Sequence, residues 1–372
     1  MNISSESQAK LSQRALRDRD GFWAREARAL HWQHPFDQVC DFSRPPFARW
    51  FGGGLTNLCY NAVDRHLPAR ASQPAILFQS TETGESRRLT YADLHREVNR
   101  MAAVLHHLGL HKGDRVVLYL PTIPEAAISM LACVRLGLVH SAVFAGFAAE
   151  SLAKRILDAD AKLVITCDAG LRNGKKIPLK QTVDDALAQS ASTARVLLIR
   201  RGIDPDCPFD AKNDADYAQV SAKFASAEIP PVWLESSDPS YILYTSGTTA
   251  KPKGVQRDTG GYAVALAASL KYIFGAQSGE TFFSTADVGW VVGHSYNVYG
   301  PLIHGMTTVL FEGLPIHRDG TAWWKCAEES KATVMFSSPT AMRILKKFGN
   351  QIIRSHDLSF LRNLFIAGEP LD

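Results

Sequence analysis

The chain has no long uninterrupted apolar run, no closely paired cysteines and little net charge, and each absence removes a class of protein. Its six cysteines, Cys40, Cys59, Cys133, Cys167, Cys207 and Cys326, are scattered with no C-x-x-C pair. That spacing argues against a disulfide frame or a zinc site and predicts reduced thiols in a cytoplasmic protein. The first twenty residues lack the apolar centre of a secretory leader. The most apolar window, Ile128 to Phe147, is interrupted by Arg135 and His140, so no membrane partner is expected. A net charge of +4 over 372 residues is too small to imply a nucleic-acid partner. No internal repeat or low-complexity tract is present, and neither a Gly-rich kinase loop nor an H-R-D segment occurs. His31 and His34 are three apart but lack an evident third ligand, and no metal ligand set is predicted in the chain.

What the chain does contain is an alternation of strand and helix patterns. Thr90 is placed to cap a helix whose Leu94, Val98, Met101, Leu105 and Leu108 share one face, closed by Gly109. The runs DRVVLYLP, VHSAVFA, KLVIT and ARVLLIR read as strands, with helices near Glu125 to Leu136, at ESLAKRILD and at TVDDALAQ. A second series, YILYT, ETFFST, TTVLFEG, ATVMFSS and LRNLFIA, reads as further strands, with helical runs around Ala263, Trp323 and Ala341. The pattern predicts an α/β fold with two parallel-type sheet layers covered by helices and meeting at a cleft. An aromatic, irregular N-terminal extension over 1–63 wraps onto the main unit, 64–372. A looser stretch at 201–240 is expected to separate the two sheets.

The segment SGTTAKPKG, residues 246–254, leaves the end of the YILYT strand and leads towards an Ala-rich helix. Successive backbone N–H groups in a Gly/Ser/Thr turn form an anion nest, and hydroxyls and ammonium groups add donors and charge. The turn therefore suits a polyphosphate, although a solvated surface loop has the same composition. It is not a Walker A loop, because Pro252 stands where the second glycine would be.

The longer run YTSGTTAKPKGVQRDTGGY resembles the phosphate loop of the adenylate-forming family of acyl-CoA synthetases, luciferases and peptide-synthetase adenylation domains. ADVGWVVGHSYNVYGPL, MFSSPTAMRILKK and AGEPLD agree with that family in order and spacing. Within it, SRPPFARWFGGGLTNLCYNAVDRH and GVQRDTGGYAVAL look most like the propionate-activating members of the short-chain branch. The resemblance implies attack of a carboxylate on the α-phosphorus of ATP, then transfer of the acyl group to coenzyme A. By the same resemblance, Ser246, Gly247, Thr248, Thr249 and Lys251 hold the ATP phosphates, with Lys253 and Gly254 shaping the loop and Mg2+ bridging the phosphates. Gly368, Glu369 and Pro370 line the adenine and ribose side. Trp290, Val291 and Val292 wall an acyl pocket, with His294 ordering that segment or serving as a structural histidine. Arg172 and Lys175 receive the 3′-phosphate of coenzyme A, and Val292 and Ile316 lie near its pantetheine route. An acetate-activating enzyme and a non-catalytic nucleotide-binding remnant are the alternatives.

Two departures from the family pattern bear on activity. The chain ends at Asp372, before the family's Tyr/Thr/Glu motif, ribose-gripping Asp and lysine-bearing C-terminal domain, so no catalytic residue is assigned. It is therefore expected to be an N-terminal portion that is inactive or nearly so alone. Ala250 replaces the glycine usual in the phosphate loop. If that position needs positive φ, alanine costs about 1–2 kcal/mol, and Ala250→Gly is expected to speed pyrophosphate release in the complete enzyme. An unchanged rate in that assay refutes the expectation.

Overall fold

The computed structural model describes residues 5–245, 252–317 and 319–370. Seven strands form the first sheet, in the order Asp214–Asp216, Arg195–Ile199, Ala161–Cys167, Arg115–Tyr119, Val139–Ala142, Pro239–Thr245 and Lys253–Asp258. All neighbours are parallel except the last pair. Six strands form the second, in the order Asn363–Ile366, Val334–Ser337, Thr281–Ser284, Thr307–Glu312, Pro74–Ser80 and Ser86–Thr90, again parallel save the last pair.

Local chemistry explains the elements that the periodicity predicts. Thr90 Oγ1 accepts from the Asp93 N–H while the Asp93 carboxylate accepts from the Thr90 N–H, a reciprocal box that starts the helix Tyr91–His107. Leu94, Val98, Met101 and Leu105 are fully buried along it, and Gly109 adopts φ +85° just beyond its end. The helix Pro124–Arg135 is apolar on nearly all sides and correspondingly buried. One apolar core takes Ile76, Phe78 and Leu310 from the second sheet and Val116, Val117, Val164 and Val196 from the first. The two polar residues that interrupt the apolar window are both accommodated. Arg135 makes a bidentate pair with Asp64 at 2.8 and 2.9 Å, and His140 Nε2 lies 2.6 Å from the Tyr299 hydroxyl. No helix among the described residues is long and apolar enough to cross a membrane.

Four expectations are corrected. The strand Pro239–Thr245 belongs to the first sheet, beside Val139–Ala142, where the buried Tyr241 ring stacks on His140 with centroids 5.6 Å apart. Pro74–Ser80, absent from the strand pattern, is an interior strand of the second sheet. The 201–240 stretch contributes an edge strand, Asp214–Asp216, so it does not simply divide the layers. The extension is less irregular than its aromatic content suggests, since it holds the helix Arg19–Ala27 and an antiparallel pair, Gln38–Arg44 with Phe47–Gly52. All six cysteines are buried and free.

One polar latch joins the layers. Arg201 follows the first-sheet strand Arg195–Ile199 and makes two 2.7 Å bonds to the carboxylate of Glu312, the last residue of a second-sheet strand. Both side chains are more than nine-tenths buried. Ser80 donates to Glu312 Oε2 at 2.7 Å. Asp168 accepts the backbone N–H groups of Arg201, Ile203 and Asp204 at 2.9–3.0 Å, fixing the turn that carries the arginine. Removing one member of a buried pair leaves an uncompensated charge, so Glu312→Ala is expected to lower stability by about 3–5 kcal/mol in urea unfolding. The double change Arg201→Met with Glu312→Leu recovers most of that loss. A single-variant loss near zero would show that the pair does not hold the layers.

Candidate active site

The carboxyl ends of strands from both sheets open onto one cleft of about 460 Å³. First-sheet strands deliver Pro121 and Thr122, Phe144 to Gly146, and Gly170 to Arg172. Second-sheet strands deliver Thr285 to Asp287 and Phe311 to Pro315. Ligands in open α/β sheets collect at this edge, where loops diverge and backbone groups are free.

Trp290 stands in the wall, with ring centroids 5.7 Å from Phe144 and 6.0 Å from Phe147. The glycines around it are dictated by packing. A Cβ on Gly289 would meet the Phe144 backbone nitrogen at 2.5 Å, and one on Gly293 would meet the Asp287 carbonyl oxygen at 2.0 Å. The segment then winds into a wide π-helical turn, His294–Tyr299. His294 Nδ1 lies 3.0 Å from the Trp290 carbonyl, and its ring is tilted against Tyr241 and stacked on His140. The histidine thus orders the Trp290 turn.

Asp287 is one of the carboxylates lining the cleft, with Glu82 and Glu312. It accepts from the Gly289 N–H at 2.8 Å and from Thr122 Oγ1 at 3.1 Å, and burial raises its pKa against these bonds and the nearby Arg172 charge. Arg172 and Lys175 face each other across a short antiparallel pair, Gly170–Arg172 with Lys175–Ile177, and both are exposed. The Arg172 guanidinium lies 5.4 Å over the Phe144 ring. Glu82 accepts the Asn173 and Gly174 N–H groups at 2.8 and 2.9 Å, which pins this basic turn to the cleft mouth.

The structure therefore places Arg172 and Trp290 in the cleft lining, with Lys175 opposite Arg172 on the paired strand and Ile316 directly after the lining residue Pro315. Val291 is 44% exposed beyond the lining, and Val292 packs against the Leu270, Phe274 and Phe282 cluster, away from it. Gly368, Glu369 and Pro370 stand apart, past the edge strand Asn363–Ile366. Glu369 accepts the Thr340 N–H at 2.9 Å, and Arg343 donates to the Pro370 carbonyl at 2.8 Å. Ser246, Gly247, Thr248, Thr249, Ala250 and Lys251 lie outside the described residues. Lys253 and Gly254 do not lie in a loop before a helix. They begin an antiparallel strand, with Thr245 opposite Lys253 and Tyr244 opposite Gly254, and the helix Gly260–Tyr272 follows it. Since Pro239–Thr245 runs parallel to Val139–Ala142, its Thr245 end shares the rim with Phe144.

Asp287, Glu82 and the Phe144 platform went unpredicted from the sequence. Asp287 sits within the ADVGWVVGH run, two residues before Gly289, and that position was the available signal. Glu82 and Phe144 become meaningful only once distant strands are adjacent.

Residues 63–372 match the family model described as "AMP-binding enzyme", and residues 8–62 match "Acetyl-coenzyme A synthetase N-terminus". The chain belongs to the AMP-binding enzyme family. Among relatives of this AMP-binding chain, a propionate–CoA ligase of Salmonella typhimurium is 52% identical over 361 residues, covering 97% of this chain and 57% of its own. The Escherichia coli enzyme of that name is 51% identical with the same coverage. An acetyl-coenzyme A synthetase of Syntrophus aciditrophicus is 43% identical over 372 residues, 100% of this chain and 57% of its own. The chain thus spans 57% of the length of these curated relatives. The solved acetoacetyl-CoA synthetase of Streptomyces lividans superposes with a TM-score of 0.89 at 29% identity, over 96% of this chain and 54% of that one. The two-sheet architecture is the adenylate-forming N-terminal fold of acyl-CoA synthetases.

Burial pushes the His294 pKa down to about 4. A depressed histidine stabilises the folded state above its unfolded pKa, and that contribution disappears as pH falls through the folded value. Stability is therefore expected to drop between about pH 6.5 and 4, by on the order of 3 kcal/mol from this group. His294→Phe should flatten that part of a pH series of melting curves. An unchanged slope in the variant would remove His294 as the cause.

Proposed function

We propose that the complete protein activates propionate with ATP, forming propionyl-AMP and pyrophosphate, and then transfers the acyl group to coenzyme A with release of AMP. The supporting observation is that Arg172 and Trp290 line one cleft, with Lys175 paired opposite Arg172, in a member of this family, where the resemblance assigns coenzyme A and the acyl group. In the first step a carboxylate oxygen bonds to the α-phosphorus as the bond to pyrophosphate breaks. In the second the coenzyme A sulfur bonds to the acyl carbon, its proton leaves to solvent, and AMP departs. Such chemistry needs positioning and charge stabilisation more than a protein nucleophile.

The chain's own residues serve these steps as binders. Ser246, Gly247, Thr248, Thr249 and Lys251 bind the ATP phosphates, with Lys253 and Gly254 setting the start of the returning strand. Gly368, Glu369 and Pro370 flank the nucleoside. Trp290 borders the acyl group, with Val291 beside it outside the cleft lining and Val292 acting from behind by packing. Arg172 and Lys175 bind the 3′-phosphate of coenzyme A, and Ile316 borders the pantetheine arm. No group of three His, Cys, Asp or Glu side chains converges among the described residues. Magnesium therefore fits best as an ion brought in on the phosphates, where it neutralises their charge.

Acetate activation is the second reading, favoured by relatives such as the Syntrophus aciditrophicus acetyl-coenzyme A synthetase. A difference of one methylene is worth only about 1–3 kcal/mol, so the preference is graded. Isotope exchange between pyrophosphate and ATP decides between the acids and is expected to be faster with propionate. ATP binding without exchange for either acid would leave a non-catalytic nucleotide binder. Loss of a charged hydrogen bond is worth about 1.5–3 kcal/mol, so Arg172→Ala and Lys175→Ala should each raise KM for coenzyme A tenfold or more while exchange persists. An unchanged KM sinks the assignment of these two residues.

A further inference from the structure

A second cavity, of about 380 Å³, lies at the opposite end of the second sheet, beside the amino ends of the strands whose carboxyl ends form the cleft. Its lining includes Arg65, His66, Lys271, Ser278 and His304, with Glu26 the one carboxylate among them. With about 3.3 Å per strand residue, the separation from the cleft is on the order of 15–20 Å.

The charge here does not balance. Arg65 donates from Nη1 to the Ala29 carbonyl at 2.9 Å, from Nη2 to the Ile303 carbonyl, and from Nε to His66 Nε2 at 3.4 Å. None of these partners is an acid, and burial pushes the guanidinium pKa down to about 10. Arg70 donates to the Gln73 side-chain oxygen at 2.7 Å and likewise makes no ion pair among the described residues. The nearby acids are committed elsewhere. Glu26 accepts from Lys271 at 3.0 Å and from the Tyr272 hydroxyl at 2.6 Å, and Glu280 pairs with Arg362 at 2.7 Å. Ser278, His66 and Arg70 meet beside Gly305, and His66 in turn lies against Arg65. A Cβ placed on Gly305 would stand 2.5 Å from Ser278 Oγ, 3.1 Å from His66 Cε1 and 3.3 Å from Arg70 Nε.

Arg65 and Arg70 are each half-buried, and a partly desolvated cation without an acidic partner favours a counter-charge. We propose that this cavity binds a small phosphate-class oxyanion, held by Arg65 and Ser278 of its lining together with Arg70, which lies beside Ser278 at Gly305, at a site separate from the cleft. Two guanidinium groups supply the fork geometry that such an anion favours. Bound anion stabilises the folded chain by mass action.

The probe is inorganic phosphate, with chloride balancing ionic strength and a small phosphate monoester as a parallel arm. The melting temperature should rise with phosphate and saturate. A monoester that matches or exceeds phosphate identifies an organic phosphate as the occupant, and a weaker one identifies the free ion. Ser278→Asp supplies a carboxylate inside the cavity and Ser278→Asn is its uncharged match. The Asp variant is expected to melt higher than the Asn variant without phosphate and to lose the phosphate response, which the Asn variant retains. Crystals soaked in tungstate should show anomalous density beside Arg65 and Arg70. An Asp variant that melts no higher than the Asn variant, a phosphate response persisting in the Asp variant, or density confined to the cleft overturns the proposal.

Discussion

The geometry of the cleft depends on the ion pair between Arg201 and Glu312. Glu312 ends a second-sheet strand and Arg201 lies in the turn just beyond a first-sheet strand, so their two short bonds fix how the carboxyl edges of the layers face one another. A buried pair of this type gives little net stabilisation over a well-packed apolar substitute, but it tolerates few relative placements. Ser80 and Asp168 extend it on either side, so the floor is set by a connected polar network instead of by loop packing. Glu312 and Gly313 line the cleft, which makes the same carboxylate both a structural tie and part of the wall.

Around that fixed floor the functional side chains differ in how they are held. Trp290 is over-determined: the glycines at 289 and 293 allow backbone contact that any side chain would block, and His294 caps the turn from beneath. Arg172 and Lys175 instead stand on an exposed two-stranded turn tied chiefly by Glu82. The cleft thus combines a rigid apolar wall with an adjustable basic rim.

Much of this was legible in the sequence where local rules dominate. The Thr90 cap, the helix face from Leu94 to Leu105 and the four buried parallel strands follow from capping chemistry and periodicity, and the structure bears them out. Sheet membership was not legible, because strands as alike as Pro239–Thr245 and Thr307–Glu312 carry no mark of which layer they join. The hairpin beyond Thr245 was missed because glycine and lysine at its return disguise a strand as loop. In the site, motif-borne residues such as Trp290 and Arg172 could be named in advance. Glu82, Phe144 and the Arg201–Glu312 pair could not, since each gains its role from partners dozens to more than a hundred positions away.

The sulfur inventory has a practical consequence. Every thiol is sequestered, and burial lifts Cys59 to about 12 and raises Cys133, Cys167 and Cys326 as well. Thiolate is the form that alkylating reagents attack, so the intact molecule should be nearly silent towards them. Because these sulfurs are distributed from the N-terminal hairpin to the second layer, the order in which they become modified forms a built-in clock of local opening.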